Sequence, residues 1–442
     1  MKTLEPAYSF MATIPKGWAI KRFEELFAEP QRNGIYKTKE FHGRGQKIIN
    51  MGELFAYDFI SDQDMKRVEL TPKELEKSLV KDGDLLFARR SLVLEGSGKC
   101  SLIVRPSEDT TFESSIIRTR LNQNEAFPKF YYYLFRSPLG RALMLSIATR
   151  TAVSGITGSN LVQLRIPHPP LPMQRKIAAI LSAYDDLIEN NTRRIEILEE
   201  MARLLYCEWF VNFRFPGHEQ VKLVDSEWGL IPEGWEILPI GKIAKVKGGK
   251  RLPKGKSVQD EKTNYLYIRV KDMKDFSLDI SNIKYIDEEA YKVIHRYIIY
   301  SQDIYISIAG TIGRVGIVPK SLSGANLTEN AAKICEINSI NKYLLFCYLC
   351  TLEGQAQIAS KVVGTSQPKL ALFRIEEIKI FLPPSNLQAK AALILSSYYE
   401  QIENLMLKNT NLRKTRDLLL PKLISGEIDV ENLNINTEEI AA

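Results

Sequence analysis

Seven cations fall within fifteen residues of this chain: Lys242, Lys245, Lys247, Lys250, Arg251, Lys254 and Lys256, with no acid among them. Glycines and Pro253 mark the stretch as a loop. Lysine and arginine in such a loop suit phosphate contacts, which fix a nucleic acid in position and release its counterions. A solvated surface loop is the alternative use of the same residues. A weaker equivalent lies earlier, where His42, Arg44 and Lys47 surround Gly43 and Gly45, and where Arg89 and Arg90 close an apolar run. Two glycine-rich links, Gly96-Ser-Gly98-Lys99 and Gly310-Thr-Ile-Gly313-Arg314-Val-Gly316, each set one cation after a glycine between apolar strands. Glycine there lets backbone approach a ligand closely. The candidate polyanion contacts are therefore Arg44, Lys47, Arg89, Arg90 and Lys99 in the first half, and Lys247, Lys250, Arg251, Lys254 and Arg314 in the second.

Other chemistries fail on spacing. A phosphate-binding P-loop needs glycine five residues before Gly98, where Val93 stands, and a hydroxyl after Lys99, where Cys100 stands. Cys347 and Cys350 have redox or zinc spacing, but no second ligand pair exists and the run is apolar. The histidines, His42, His168, His218 and His295, have no ligand-spaced neighbours, and no Gly-x-Ser-x-Gly elbow occurs. No catalytic residue and no metal site is expected.

The elements that position the cations are revealed by an internal repeat. Residues 169–190 recur at 383–404, and 12 of the 22 positions are identical, among them Pro169/Pro383, Gln174/Gln388, Ser182/Ser396 and Asn190/Asn404. The run from Ile14 to Trp18 recurs from Ile231 to Trp235. A period above 200 residues means duplicated domains rather than a solenoid. The Cys pair is lost in the other copy, where Tyr133 and Arg136 stand, so it reads as core. The expected organisation is a domain over 1–170, a helix over 171–212, a second domain over 213–382, a second helix over 383–425, and a frayed acidic tail over 426–442. The fold class is α+β: two similar mixed α/β domains, each followed by a long helix. Strand-like runs include 84–88, 115–118, 265–269 and 303–308, and helical runs include 130–146 and 343–360.

Both helical stretches follow a proline pair, which suits a helix entry. In the first, Ile177, Leu181, Tyr184, Ile188, Ile195, Leu198, Ala202, Leu205 and Trp209 are spaced by fours and threes, with Asn191 in the gap. The second keeps the seam with Ala391, Leu395, Tyr398, Ile402, Leu405, Leu412, Leu419 and Leu423, interrupted by Asn409 and Arg416. Such seams pair in coiled coils. An antiparallel pair with internal twofold symmetry has contacting positions of constant sum. Setting Asn191 against Asn409 gives 600, which also sets Ile195 against Leu405, Leu198 against Ile402, Leu205 against Leu395, Leu181 against Leu419 and Ile177 against Leu423. The two polar residues would then hydrogen-bond and fix the register. About thirty helical residues make a rod of ~45 Å.

Composition agrees with a globular chain: apolar residues make 45% and charged residues 26%. Net charge is +7, carried by both domains: residues 1–170 hold 25 bases and 19 acids, and residues 213–382 hold 24 and 19. Two basic domains suit a polyanion reader. No signal-peptide pattern or membrane-length apolar run is seen, and five cysteines without framework spacing suit a reducing compartment. A cytoplasmic protein without a membrane partner is expected.

With these residues assembled, the chain resembles the specificity (S) subunit of type I restriction–modification systems over nearly its whole length. The marks are the Ile-Pro-x-Gly-Trp that opens each domain and the Pro-Pro-x-x-x-Gln-x-Lys-x-Ala that opens each helix. To these add the Thr365-Ser-Gln-Pro-Lys-Leu370 run and the terminal Leu420-Pro-Lys-Leu-Ile-Ser-Gly426. The resemblance implies two target recognition domains, each reading half of a bipartite site on double-stranded DNA, separated by an antiparallel coiled coil. It implies two modification subunits that hold S-adenosylmethionine and methylate adenine, and translocating restriction subunits that use ATP and Mg. No cofactor is implied on this chain. The first half departs from the pattern, with Thr149-Arg-Thr-Ala-Val-Ser-Gly-Ile156 in place of Gly364–Leu370, so the half-sites are expected to differ. A self-contained methyltransferase would need an Asn/Asp-Pro-Pro-Tyr/Phe motif, which is missing. A mere coiled-coil scaffold would not need two basic domains.

Overall fold

The computed structural model describes residues 14–149, 154–274, 277–364 and 366–437. Residues 150–153 and residue 365, parts of two motifs named above, lie outside the described residues, as do the outermost residues of the first domain and of the tail. The chain divides into two units. One comprises residues 1–188 with 412–442, the other residues 189–411. Each thus contains one α/β domain and part of both long helices.

In the first unit, a five-stranded sheet runs in the order Phe27–Asn33, Ile116–Leu121, Leu85–Ala88, Cys100–Ile103, Phe59–Ile60. All four residues of Leu85–Ala88 are buried, which is why this strand reads as a continuous apolar run rather than an alternating one. A three-stranded sheet sets His42–Ile49 between Arg67–Val68 and Thr110–Phe112. Ala19–Arg22 pairs with Arg165–His168. In the second unit, Lys245–Gly248, Ala331–Cys335, Ile304–Ser307 and Val315–Ile317 form the corresponding sheet. Leu266–Ile268 again pairs antiparallel with Lys284–Tyr285 and parallel with Ala325–Leu327. The registers correspond as well: Phe87 faces Ile117, and Ile306 faces Ala332.

The helical runs expected over 130–146 and 343–360 are each two helices. The breaks fall at Ser137 and Thr351, between Pro128–Arg136 and Pro138–Ile147, and between Lys342–Cys350 and Leu352–Ser360. Each hydroxyl donates back to a carbonyl of the ending helix, Leu134 or Tyr348, both at 2.7 Å. Each also accepts from an amide of the next helix, Gly140 or Gly354, both at 3.1 Å. A side chain that serves both helix ends replaces the backbone bonds the break removes. Apolar content alone hid the break.

Helix entry follows the proline pairs. The first long helix spans Leu171–Tyr206 and continues as a π turn over Cys207–Val211; the second spans Ser385–Ser425. The repeated glutamine of each entry motif is a buried bridge. Gln174 accepts from the Phe127 amide at 2.7 Å and donates to the carbonyls of Pro169 and Glu125 at 2.8 and 3.1 Å. Gln388 does the same with Asn341, Pro383 and Ser339 at 3.1, 2.9 and 3.0 Å. Each amide therefore ties the start of a long helix to the loop before a domain helix.

Each domain's motif tryptophan receives the end of a long helix. Trp235 packs against Phe210, Phe213 and Phe215, with ring centroids 5.8, 5.2 and 5.8 Å away. In the first unit, the second long helix ends at Gly426, which has φ +73° and lies against Pro15 and Trp18. The tail expected to be frayed after this glycine is seated over residues 428–431. Val430 is buried in the first unit's core, Ile428 packs on it, and the Lys176 ammonium donates to the Glu431 carbonyl at 2.6 Å. Two apolar residues among the acids of this segment are enough to seat it.

The long helices run antiparallel within each unit. In the first unit, Ile177, Leu181, Leu423 and the flank of Leu419 share one core, Ile188 is buried, and Tyr184 and Leu412 are half-buried. Arg416, on the seam, forms an ion pair with Asp185. In the second unit, Ala202, Ala391 and Leu395 share a core, with Leu205 and Tyr398 packed on it. Ile402 and Leu405 are buried, and Ile195 and Leu198 half-buried. The Asn191 amide donates to the Asn409 carbonyl oxygen at 2.9 Å, the contact that a constant sum of 600 requires. Asn409 reaches Thr192 as well, at 3.3 Å.

Two outcomes are expected. Asn409→Leu removes the buried acceptor of Asn191 and should cost about 1–3 kcal/mol, whereas the double change to leucine should be near neutral or stabilising. Urea denaturation of the single and double variants gives the coupling directly. Gln174→Ala leaves a buried amide and two carbonyls unpaired and should cost about 2–4 kcal/mol; a thermal midpoint within 1 °C of wild type, on the order of the scatter expected for a neutral surface change, would refute the bridging role.

Candidate nucleic-acid interface

The structure sorts the candidate cations by what already neutralises them. Most of the basic run meets carboxylates from distant sequence. Lys245 and Lys247 both grip Glu336, the second at 2.5 Å. Their hydrogen bonds hold the Glu336 carboxyl at about 2. Arg251 pairs with Glu329 at 2.7 Å, and Lys256 with Asp287 and Glu289. Lys250 is exposed, its ammonium 5.6 Å from the Tyr297 ring centre. Lys254 is exposed and, among the described residues, has no hydrogen bond or ion pair. An acid-free stretch of sequence is thus a mixed-charge surface in space.

The first domain behaves likewise. Arg44 is largely exposed but pairs with Glu69 at 2.7 Å. Lys47 is only 12% exposed and pairs with Glu108 at 3.0 Å. Arg89 and Arg90 border a shallow recess of about 330 Å³ with Thr149, Gly155, Ile156 and Thr157. Arg89 is half-buried, its guanidinium 3.4 Å from the Ser114 carbonyl. Arg90 is exposed, and its side chain forms no hydrogen bond or ion pair among the described residues.

Lys99 and Arg314 are engaged with the backbone of their own domains. Lys99 donates to the Phe55 carbonyl and Arg314 to the Met273 carbonyl, both at 2.6 Å. Burial lowers the pKa of the Lys99 ammonium. The close approach allowed by the neighbouring glycines is to the protein's own side chains: a Cβ on Gly316 would lie 2.1 Å from the Tyr305 hydroxyl. Both domains use this device, which explains its repetition better than a ligand does. Sequence reading missed the partner acids Glu69, Glu108, Glu329 and Glu336. Nothing in the local sequence signals them, because cross-strand and cross-loop contacts carry the pairing.

Residues 15–200 and 232–412 match the type I restriction modification DNA specificity domain, once for each repeat. The chain belongs to that family. Among its relatives, the type I restriction enzyme MjaIX specificity subunit of Methanocaldococcus jannaschii is 28% identical over 428 residues, 95% of each chain. The type I restriction enzyme EcoKI specificity subunit of Escherichia coli is 30% identical over 193 residues, 42% of this chain and 39% of that one. The fold matches the crystal structure of the type I restriction–modification S subunit from M. genitalium with a TM-score of 0.56 and 19% identity, over 93% of this chain and 96% of that one. Cys347 and Cys350, singled out by their spacing, belong to the core of the second unit. Cys347 lies 3.5 Å from the Tyr399 hydroxyl, and burial pushes its thiol up to about 12. A thiol so far from ionising is no nucleophile at neutral pH. No helix among the described residues is long and apolar enough to cross a membrane.

One titratable group does fall near neutrality. Glu199 borders a cavity of about 170 Å³ with Glu196, Arg203, Cys347 and Tyr399. Burial first, then the Glu196 charge, pushes its carboxyl up to about 7. The native state therefore holds a proton that the unfolded chain releases at about pH 4.5. Stability should fall as pH rises from about 4.5 to 7, by up to about 3 kcal/mol, and no further above it. Glu199→Gln should remove this slope, raising stability at pH 8 and leaving it unchanged at pH 4; urea titrations at the two pH values test this.

Proposed function

We propose that this chain is the DNA sequence-specificity subunit of a type I restriction–modification complex. It reads a bipartite duplex target through two recognition domains, residues 1–170 and 213–382, and scaffolds the methyltransferase and restriction subunits. The observation that carries the reading is a duplicated fold whose central sheet strands correspond in order and register while the outward cations differ. Arg89 and Arg90 in the first domain have Ile308 and Ala309 at the corresponding strand end of the second, given that Ala88 and Ser307 occupy matching registers. Shared interiors with unlike surfaces suit one mode of binding and two half-site sequences.

In this reading the chain does no bond chemistry. S-adenosylmethionine belongs to two modification subunits, and ATP and Mg to restriction subunits. The exposed Arg90, Lys250 and Lys254, and the loosely held Arg44, Lys247 and Arg251, meet phosphates. Arg44, Lys247 and Arg251 must exchange a carboxylate for a phosphate, so their net gain is smaller. Lys47, Lys99 and Arg314 support the domains from within.

Filter binding of a random-sequence duplex pool, with the methyltransferase partner present, tests this. Affinity should fall steeply with salt, and Lys250→Ala with Lys254→Ala should lower the logarithmic salt slope by about 2 while weakening all sequences alike. Labelled S-adenosylmethionine should give methyl transfer only when the partner is added. Transfer by this chain alone would overturn the assignment.

A further inference from the structure

The two domains differ in length at one place inside an otherwise matched sheet. Between Leu85–Ala88 and Cys100–Ile103 lie eleven residues, 89–99; between Ile304–Ser307 and Val315–Ile317 lie seven, 308–314. The strands on either side keep register: Leu85 faces Leu102, and Ile304 faces Ile317. The first domain therefore carries a four-residue insertion in this loop.

That insertion presents the most exposed large apolar side chain among the described residues. Leu92 is 88% exposed and Val93 59%. The loop beneath them is well held. Arg90 and Ser91 pair antiparallel with Gly155 and Ser154. The Val93 amide donates to the Ser91 hydroxyl at 3.2 Å, and its carbonyl accepts from the Gly96 amide at 3.1 Å. The Arg141 guanidinium holds the Glu95 and Ser97 carbonyls at 2.7 and 2.9 Å. Leu92 and Val93, adjacent on this held loop, contribute nothing to the core and leave a small apolar tip facing outward. Two residues before it stands Arg90, exposed and without an ionic partner among the described residues, with Arg89 beside it.

We propose that Leu92 is a base-contacting, specificity-determining residue of the first recognition domain, making apolar contact with the bases of one half-site while Arg90 holds the adjacent phosphate. Charge complementarity selects DNA as the occupant: Arg89 and Arg90 precede the apolar tip and outnumber the one acid that follows it, Glu95, and an apolar side chain beside a cation is the pairing used by proteins that set apolar groups against thymine methyls or between base steps. A tip held by hydrogen bonds on either side reaches the bases at a reduced ordering cost. The second domain lacks the insertion, so it reads its half-site by other side chains. This inference rests on the function proposed above.

The test uses the full chain in complex with its methyltransferase partner and a pool of randomised 40-base-pair duplexes, a length of about four helical turns. Wild type, Leu92→Ser and Leu92→Met are each used to select bound sequences. Leu92→Ser should flatten the preference at one or two adjacent positions of one half-site, lower affinity for the wild-type sequence by about tenfold, and leave the other half-site and the salt slope unchanged. Leu92→Met should retain most of the preference. Unchanged preferences with Leu92→Ser, while wild type still selects a bipartite sequence, would overturn this inference alone. So would loss of methyltransferase association at unchanged base preference, which would make the tip a protein contact. Failure of the wild-type complex to select any sequence would overturn both this inference and the functional proposal.

Discussion

Everything outward in this protein depends on how a domain is fastened to a long helix, and that fastening is a buried amide. Gln174 and Gln388 each satisfy one backbone donor and two backbone acceptors where the proline pair leaves the domain. A primary amide offers two N–H donors and a carbonyl acceptor on one short planar group, the set that these three backbone partners require. The proline pair demands such help, because it removes backbone donors where the chain turns from strand to helix. An apolar side chain would leave three buried backbone groups unpaired. The bridge thus fixes the start of each long helix to its own domain.

The second constraint is the seam. A leucine-rich stripe is indifferent to sliding by a heptad, and each domain rides on the stripe. The Asn191–Asn409 hydrogen bond removes that freedom at the cost of two buried amides. The Arg416–Asp185 ion pair in the first unit does the same with charge. The seam has polar positions where register must be decided and apolar ones where adhesion is needed. The ends of both helices are closed by the same residue type, Trp235 on an aromatic cluster and Trp18 on Gly426.

Charge is handled differently from packing. The domains keep their internal cations in equivalent roles, as with Lys99 and Arg314, and vary the external ones. Several external cations rest on acids. Such pairs are worth little in water, so a phosphate can replace the carboxylate at small cost.

The duplication, the two helix entries, the seam and its register were all legible in the sequence, because each is carried by local periodicity or by identity between copies. Strand positions were legible where all side chains are buried, as at Leu85–Ala88. The breaks at Ser137 and Thr351 were not, since a hydroxyl cap inside an apolar run leaves no change in periodicity. Nor was the seating of the tail, which depends on Val430 finding a core made by other segments. The charges show the limit most clearly. The run from Lys242 to Lys256 has no acid within it, yet Glu336, Glu329, Asp287 and Glu289 neutralise most of it. Coulombic partners are chosen by distance in space, over tens of residues of sequence. The sequence by itself therefore determined the family, the repeat and the helix register, and only the tertiary structure decided which cations, and which exposed leucine, are left facing outward.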